Sequence, residues 1–218
     1  MVSTIQRAAT RTRTSPGLWV MILIILSAAG CATMDKDECL VADWRLIGFQ
    51  DGAQGKSAAT IGTYRKDCAD FHVAPDLDAY QAGRREGLQQ YCMPANGYRL
   101  GEAGRAYNAV CPAGIERSFR AAYNTGHDIY QARTRVNSTY SLINRKQQAI
   151  QSLEADKQGK LAEMIQPGLS SEQRVLLLYD MTNIEKDIHT TNTDISVLER
   201  DLEQQQAQLD YLLNNSPY

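Results

Sequence analysis

The sequence predicts a mainly α fold, in which a small, disulfide-stapled, glycine- and aromatic-rich helical domain is followed by an antiparallel coiled-coil helical hairpin. Three observations predict it. Between residues 43 and 130, aromatic residues and glycines recur three and four positions apart, the spacing that places them on one helix face. Cys39, Cys68, Cys92 and Cys111 fall within or beside that stretch. Beyond it, apolar residues keep a seven-residue beat to near the C-terminus. The chain of 218 residues is 43% hydrophobic and 22% charged, with 23 Lys+Arg against 25 Asp+Glu, a composition that folds. This even balance supplies no basic face to displace counterions from phosphates, so nucleic acid is not expected as a partner. The expected divisions are residues 1–30, 31–127 and 128–218.

Residues 1–30 read as a secretory signal. Arg7, Arg11 and Arg13 stand without an acidic neighbour ahead of an unbroken apolar run from Leu18 to Leu26. That run is shorter than the ~20 apolar residues a bilayer-spanning helix needs. The segment Leu26-Ser27-Ala28-Ala29-Gly30-Cys31 resembles the lipobox of bacterial lipoproteins, in which the cysteine is acylated and becomes the mature N-terminus. Such motifs place Leu where this chain has Ala28, so cleavage by an ordinary signal peptidase is the alternative. By resemblance to enterobacterial sorting rules, Ala32 in place of Asp implies the outer membrane, with the protein facing the periplasm. Loss of residues 1–30, which hold three arginines and no acidic group, moves the net charge from −2 to −5. Acyl chains on Cys31, not a basic patch, would then hold the protein to the membrane.

With Cys31 assigned to lipid, an even set of four cysteines remains in an oxidising compartment, and two disulfides are expected. No Cys-x-x-Cys occurs, and His72, His127 and His189 lack ligand spacing, so neither a metal nor a redox cofactor is expected. Four cysteines allow three connectivities. Cys39–Cys68 with Cys92–Cys111 is the favoured one, because each pair brackets one glycine-aromatic segment.

That segment has four loose instances: Trp44…Gly48…Gly52…Gly55; Tyr80…Gly83…Gly87…Tyr91; Tyr98…Gly101…Gly104…Tyr107; and Phe119…Tyr123…Gly126…Tyr130. A helical glycine costs about 1 kcal/mol relative to alanine, so its repetition calls for a compensating close approach of backbones or rings. Turns between short strands are the competing reading. Residues 78–92 favour helices, having no alternation, few β-branched residues and many good helix formers.

Taken in order, Cys39-x3-Asp43-Trp44-x3-Gly48-x2-Asp51-Gly52-x2-Gly55, then Pro75-Asp76-x3-Tyr80-x2-Gly83-x3-Gly87-Leu88-x2-Tyr91-Cys92, then Gly101-x2-Gly104-x2-Tyr107-x3-Cys111-Pro112 resembles the bacterial lipoproteins grouped as domain of unknown function 2799. The resemblance covers about residues 39–133. It implies a cell-envelope lipoprotein and assigns no chemistry.

The second half carries two heptad series. Ile129, Val136, Ile143, Ile150, Lys157 and Met164, with Ala132, Thr139, Lys146, Leu153 and Lys160, give the first arm. Met181, Ile188, Ile195, Leu202 and Leu209, with Leu177, Ile184, Thr191, Leu198, Gln205 and Leu212, give the second. Gln166-Pro167-Gly168-Leu169 breaks the helix, and Ser170-Ser171-Glu172-Gln173 offers a capping box for the next. So short a break returns the chain antiparallel. At 1.5 Å per residue the first arm, from 128 to 165, would be a rod roughly 55 Å long. Its small and charged seam positions leave it under-supported, so a second hairpin or another envelope protein is expected to complete it; a solitary hairpin is the alternative.

No Gly-x-Ser-x-Gly, His-Glu-x-x-His or Walker motif is present, and no enzymatic activity is expected. Asp43, Asp51, Asp76 and Asp78 are the clustered carboxylates outside the hairpin. Asp76, after Pro75, suits a helix N-cap, and Asp51-Gly52 suits a turn or a helix end. Trp44, Tyr80, Tyr91, Tyr98 and Tyr107 could stack on a sugar ring, or pack over the glycines. The expected role is thus a non-enzymatic envelope structural or protein-interaction module. The alternative is a glycan or small-ligand binder with the hairpin as spacer.

Overall fold

The computed structural model describes residues 33–218, so the expected signal segment and the lipidation site at Cys31 lie outside the described residues. The described residues form seven α-helices and no strand, which decides between helices and hairpins for the glycine segments. The helices are α1 Lys36–Leu40, α2 Trp44–Ala53, α3 Ile61–Ala69, α4 Leu77–Tyr91, α5 Pro94–Glu102, α6 Ala113–Met164 and α7 Ser171–Asn214. Two compact units result: residues 33–43 with 59–76, and residues 44–58 with 77–218.

The smaller unit holds α1 and α3, stapled by Cys39–Cys68. Asp35 and Glu38 form a reciprocal capping box that satisfies the first free amides of α1. The carboxylate of Asp67 accepts from the Thr33 hydroxyl at 2.6 Å and the Thr33 amide at 2.8 Å, and these bonds hold its pKa below the ordinary carboxylate value.

The larger unit holds the other five helices and the second disulfide, Cys92–Cys111. The pairing that brackets the glycine segments is therefore the observed one. Each bridge constrains the unfolded chain by roughly 2–4 kcal/mol, a large share for so small a packed region. Beside Cys92, a core forms from Leu88, Tyr91 and Phe119, flanked by Leu100, Tyr107, Val110 and Ile115.

The two long helices pair in opposite directions. As the α6 residue advances from Thr139 through Lys146 and Lys157 to Lys160, its α7 partner retreats from Gln205 through Asp194 and Glu185 to Asp180, at 2.6–3.1 Å. All the heptad positions named above are buried or half-buried on both arms. The lysines that break the apolar seam of the first arm are thus matched by carboxylates across it. Gly168 takes a positive φ of 97° in the connecting turn, and Ser170 and Gln173 form the expected capping box.

The division expected after residue 127 coincides with no break in the chain. α6 runs unbroken for 52 residues, about 78 Å at the ordinary helical rise. Its first turns pack in the glycine-rich region and its remainder pairs with α7. The heptad pattern begins near Ile129 because only there does the partner change.

Candidate functional site

The glycines explain how the larger unit is built. On α2 and α4, a Cβ added at Gly48 would enter the carbonyl oxygen of Tyr80, and at Gly52 that of Arg84. Reciprocally, a Cβ at Gly83 would enter the carbonyl of Arg45, and at Gly87 that of Phe49. Residue numbers rise together on the two helices, so they cross running the same way, backbone on backbone. Small residues four apart on each helix permit this approach, which brings Cα–H groups onto facing carbonyls.

The same construction recurs in α5 and the start of α6. Gly97 faces the carbonyl of Phe119, Gly101 that of Tyr123, and Gly126 that of Tyr98. Gly48, Gly52 and Gly55 recur as Gly97, Gly101 and Gly104, forty-nine residues on. Tyr80, Gly83, Gly87 and Tyr91 recur as Phe119, Ala122, Gly126 and Tyr130, thirty-nine residues on. The helix ends repeat too. Gly55 and Gly104 adopt positive φ, and each is covered by a tyrosine ring, Tyr91 and Tyr130 respectively. Lys56 N–H donates to the Asp51 carbonyl at 2.9 Å as Arg105 N–H donates to that of Leu100 at 3.0 Å, the closing bond of a glycine-terminated helix. Even the outer ties correspond: Arg84 Nη2 donates to the Lys56 carbonyl, and the Tyr123 hydroxyl to the Arg105 carbonyl, both at 2.8 Å. The four sequence instances are thus two crossings, the first instance paired with the second and the third with the fourth.

The two crossings differ at one buried polar point. Asp51 is only 2% exposed, and its carboxylate accepts from the Tyr80 hydroxyl at 2.8 Å and from Lys56 Nζ at 2.9 Å. The corresponding pair in the second crossing is Leu100 and Phe119, both apolar. Asp51 therefore does sit at a helix end, as expected, but its side chain is the polar centre of the first crossing. α4 begins immediately after Asp76.

Of the five aromatic residues read as either packing over glycines or stacking on a sugar ring, Trp44, Tyr80 and Tyr91 are buried. Tyr98 is half-buried and stacks on Tyr218 with ring centroids 5.2 Å apart. Tyr107, also half-buried, lies between Phe119 and Tyr123 and donates to Glu116 at 2.6 Å. The Tyr91 ring lies over Gly55 and beside Phe119, with centroids 5.4 Å apart.

Burial, the hydrogen bond to Glu116 and the charge of that carboxylate push the Tyr107 phenol up to about 12. Burial also raises Tyr91, against a hydrogen bond from Asn108 and the charge of Arg105. A phenol whose folded pKa exceeds its unfolded value of about 10 contributes stability that is intact below pH 10 and lost as pH climbs toward 12. Ultraviolet titration is expected to show a phenolate ionising near pH 12 that Tyr107→Phe removes; an unchanged late phase in the variant would reassign it.

No group of three or more His, Cys, Asp or Glu among the described residues could hold a metal ion. No helix among them is long and apolar enough to cross a membrane. Sequence reasoning missed Gly97, Arg105 and Asn108. The first was discoverable, since Gly97-x3-Gly101-x2-Gly104 repeats the spacing of Gly48-x3-Gly52-x2-Gly55.

Residues 43–128 match the family described as "Protein of unknown function (DUF2799)", in agreement with the motif resemblance read over residues 39–133. The matched stretch contains the glycines of both crossings. No curated protein and no solved structure matches the chain.

Proposed function

We propose that this chain, whose residues 43–128 match the DUF2799 family, is a periplasm-facing lipoprotein anchored to the outer membrane through acyl chains on Cys31. In this reading it has no enzymatic role. It is an envelope structural module whose helical hairpin docks on a second copy or on another envelope protein. The lipobox-like run ending at Cys31 supports the anchor.

The observation that carries the docking role is the outer surface of the hairpin. Its seam is filled by its own two arms, yet large apolar side chains remain exposed on other positions. Leu161 and Ile165 are exposed at the end of α6, and Val175, Leu176, Leu178 and Tyr179 at the start of α7, with Ile165 73% and Tyr179 65% exposed. A helix apolar on all sides is ordinarily a buried one, and exposed apolar side chains grouped near the turn of the hairpin suit an interaction surface.

Mass analysis of the protein from native membranes is expected to find acylated Cys31. Light scattering of a soluble form lacking Cys31 is expected to find a dimer that Leu176→Glu with Tyr179→Glu dissociates. A monomer that also captures no envelope protein by crosslinking at residue 176 would overturn the docking role. An unmodified Cys31 would overturn the anchor.

A further inference from the structure

The two crossings meet at an opening of about 360 Å³, lined by Gln54, Tyr91, Asn96, Leu100, Arg105 and Asn108. Comparing one crossing with the other shows what is unusual there. Lys56 and Arg105 hold equivalent places just past the glycine that ends α2 and α5. In the first crossing the cation is neutralised internally, Lys56 Nζ lying 2.9 Å from the Asp51 carboxylate. In the second, the place of Asp51 is taken by Leu100. Arg105 consequently forms no ion pair with any described residue and carries an uncompensated guanidinium at the opening.

The rest of the lining narrows the chemistry. Asn96 is committed to the protein: its Nδ2 donates to the Tyr91 carbonyl at 2.7 Å and its Oδ1 accepts from Arg99 at 3.1 Å. The Asn108 side chain contacts the Tyr91 phenol, leaving amide capacity to spare, and Gln54 adds a second amide. A guanidinium fork matches a carboxylate or phosphate bidentately. The choice between them follows from the helix ends. Gln54 and Arg105 stand just past the C-terminal ends of α2 and α5, where the partial negative charge of the helix disfavours a dianion more than a monoanion.

We infer that this opening is a binding site for a monosaccharide-sized carboxylate, a sugar acid, whose carboxylate is held by Arg105 and whose hydroxyl groups meet Asn108 and Gln54. The inference does not rest on the docking role of the hairpin, and either can fail alone.

Isothermal titration calorimetry on the full chain in detergent tests it with three probes: D-glucuronate, uncharged D-glucose and inorganic phosphate. Glucuronate is expected to bind, with glucose at least about tenfold weaker. Arg105→Gln, at an exposed position, is expected to weaken glucuronate at least about tenfold, the loss of one charge-assisted pair, without altering the thermal melt. A second variant, Leu100→Asp with Phe119→Tyr, rebuilds the internal pair of the first crossing and is expected to abolish binding by engaging Arg105 from within. No binding of glucuronate at about 10 mM would overturn the inference. So would glucuronate affinity unchanged by Arg105→Gln. Phosphate binding tighter than glucuronate would show a general anion site and overturn the sugar-acid assignment.

Discussion

Gly83→Ala is expected to destabilise the protein by at least ~3 kcal/mol, whereas Gly159→Ala is expected to stabilise it by about 1 kcal/mol. The same methyl group has opposite effects because of what it meets. At Gly83 the new Cβ lands in the backbone carbonyl of Arg45, with its carbon at 2.8 Å and the Phe49 nitrogen at 2.9 Å. None of these is a flexible side-chain end, so relief requires α2 and α4 to separate along their whole contact. That separation would expose Tyr80 and Leu88, which are 1% and 2% exposed. Gly159 sits within α6 with nothing near the added carbon, so only the helix-forming gain over glycine remains. Urea denaturation of the two variants checks both signs. A Gly83→Ala midpoint within error of the parent would mean the helices do not cross backbone on backbone.

That contrast also marks how far the sequence could be read. The heptad positions of both arms were legible because burial on a helix pair follows a one-dimensional period: Leu177, Met181, Ile184 and their successors lie at the seam as spaced. The glycine spacing was legible as a sign of close approach for the same reason. Which glycine stripe faces which was not, because residues 59–76, which belong to the other unit, separate α2 from α4 in the chain and their pairing is a three-dimensional fact. The instance beginning at Tyr98 shows the cost of a frame error: anchoring on the aromatic residue hid Gly97 and, with it, the duplication. The side chain of Asp51 was hidden differently. A carboxylate beside a glycine suits a helix end, and only the arrival of Tyr80 and Lys56 turns it into a buried polar centre. The opening at Arg105 was invisible for a related reason, since its unpaired charge is recognised only against the paired Lys56.

The duplication makes a second strong prediction, about Asp51 and Tyr80. Asp51→Leu alone is expected to cost ~2–4 kcal/mol, because it leaves the buried Tyr80 hydroxyl without its acceptor and Lys56 without its carboxylate. Tyr80→Phe alone is expected to cost about 1–3 kcal/mol, because the carboxylate, 97% removed from solvent at its side chain, loses a donor that water cannot replace. The double variant Asp51→Leu with Tyr80→Phe reproduces the pair Leu100 and Phe119, which the second crossing already packs in its core. Lys56 is 43% exposed at its side chain and can rehydrate. The double variant is therefore expected to fall within ~1 kcal/mol of the parent, well short of the two single losses combined, as happens when a buried polar group and its partner are removed together. Denaturation midpoints of the four proteins measure the coupling directly. Additive losses would mean that the apolar solution of the second crossing depends on surroundings the first does not share. Near-recovery would establish the two crossings as interchangeable versions of one packing unit, with the polar centre dispensable for folding.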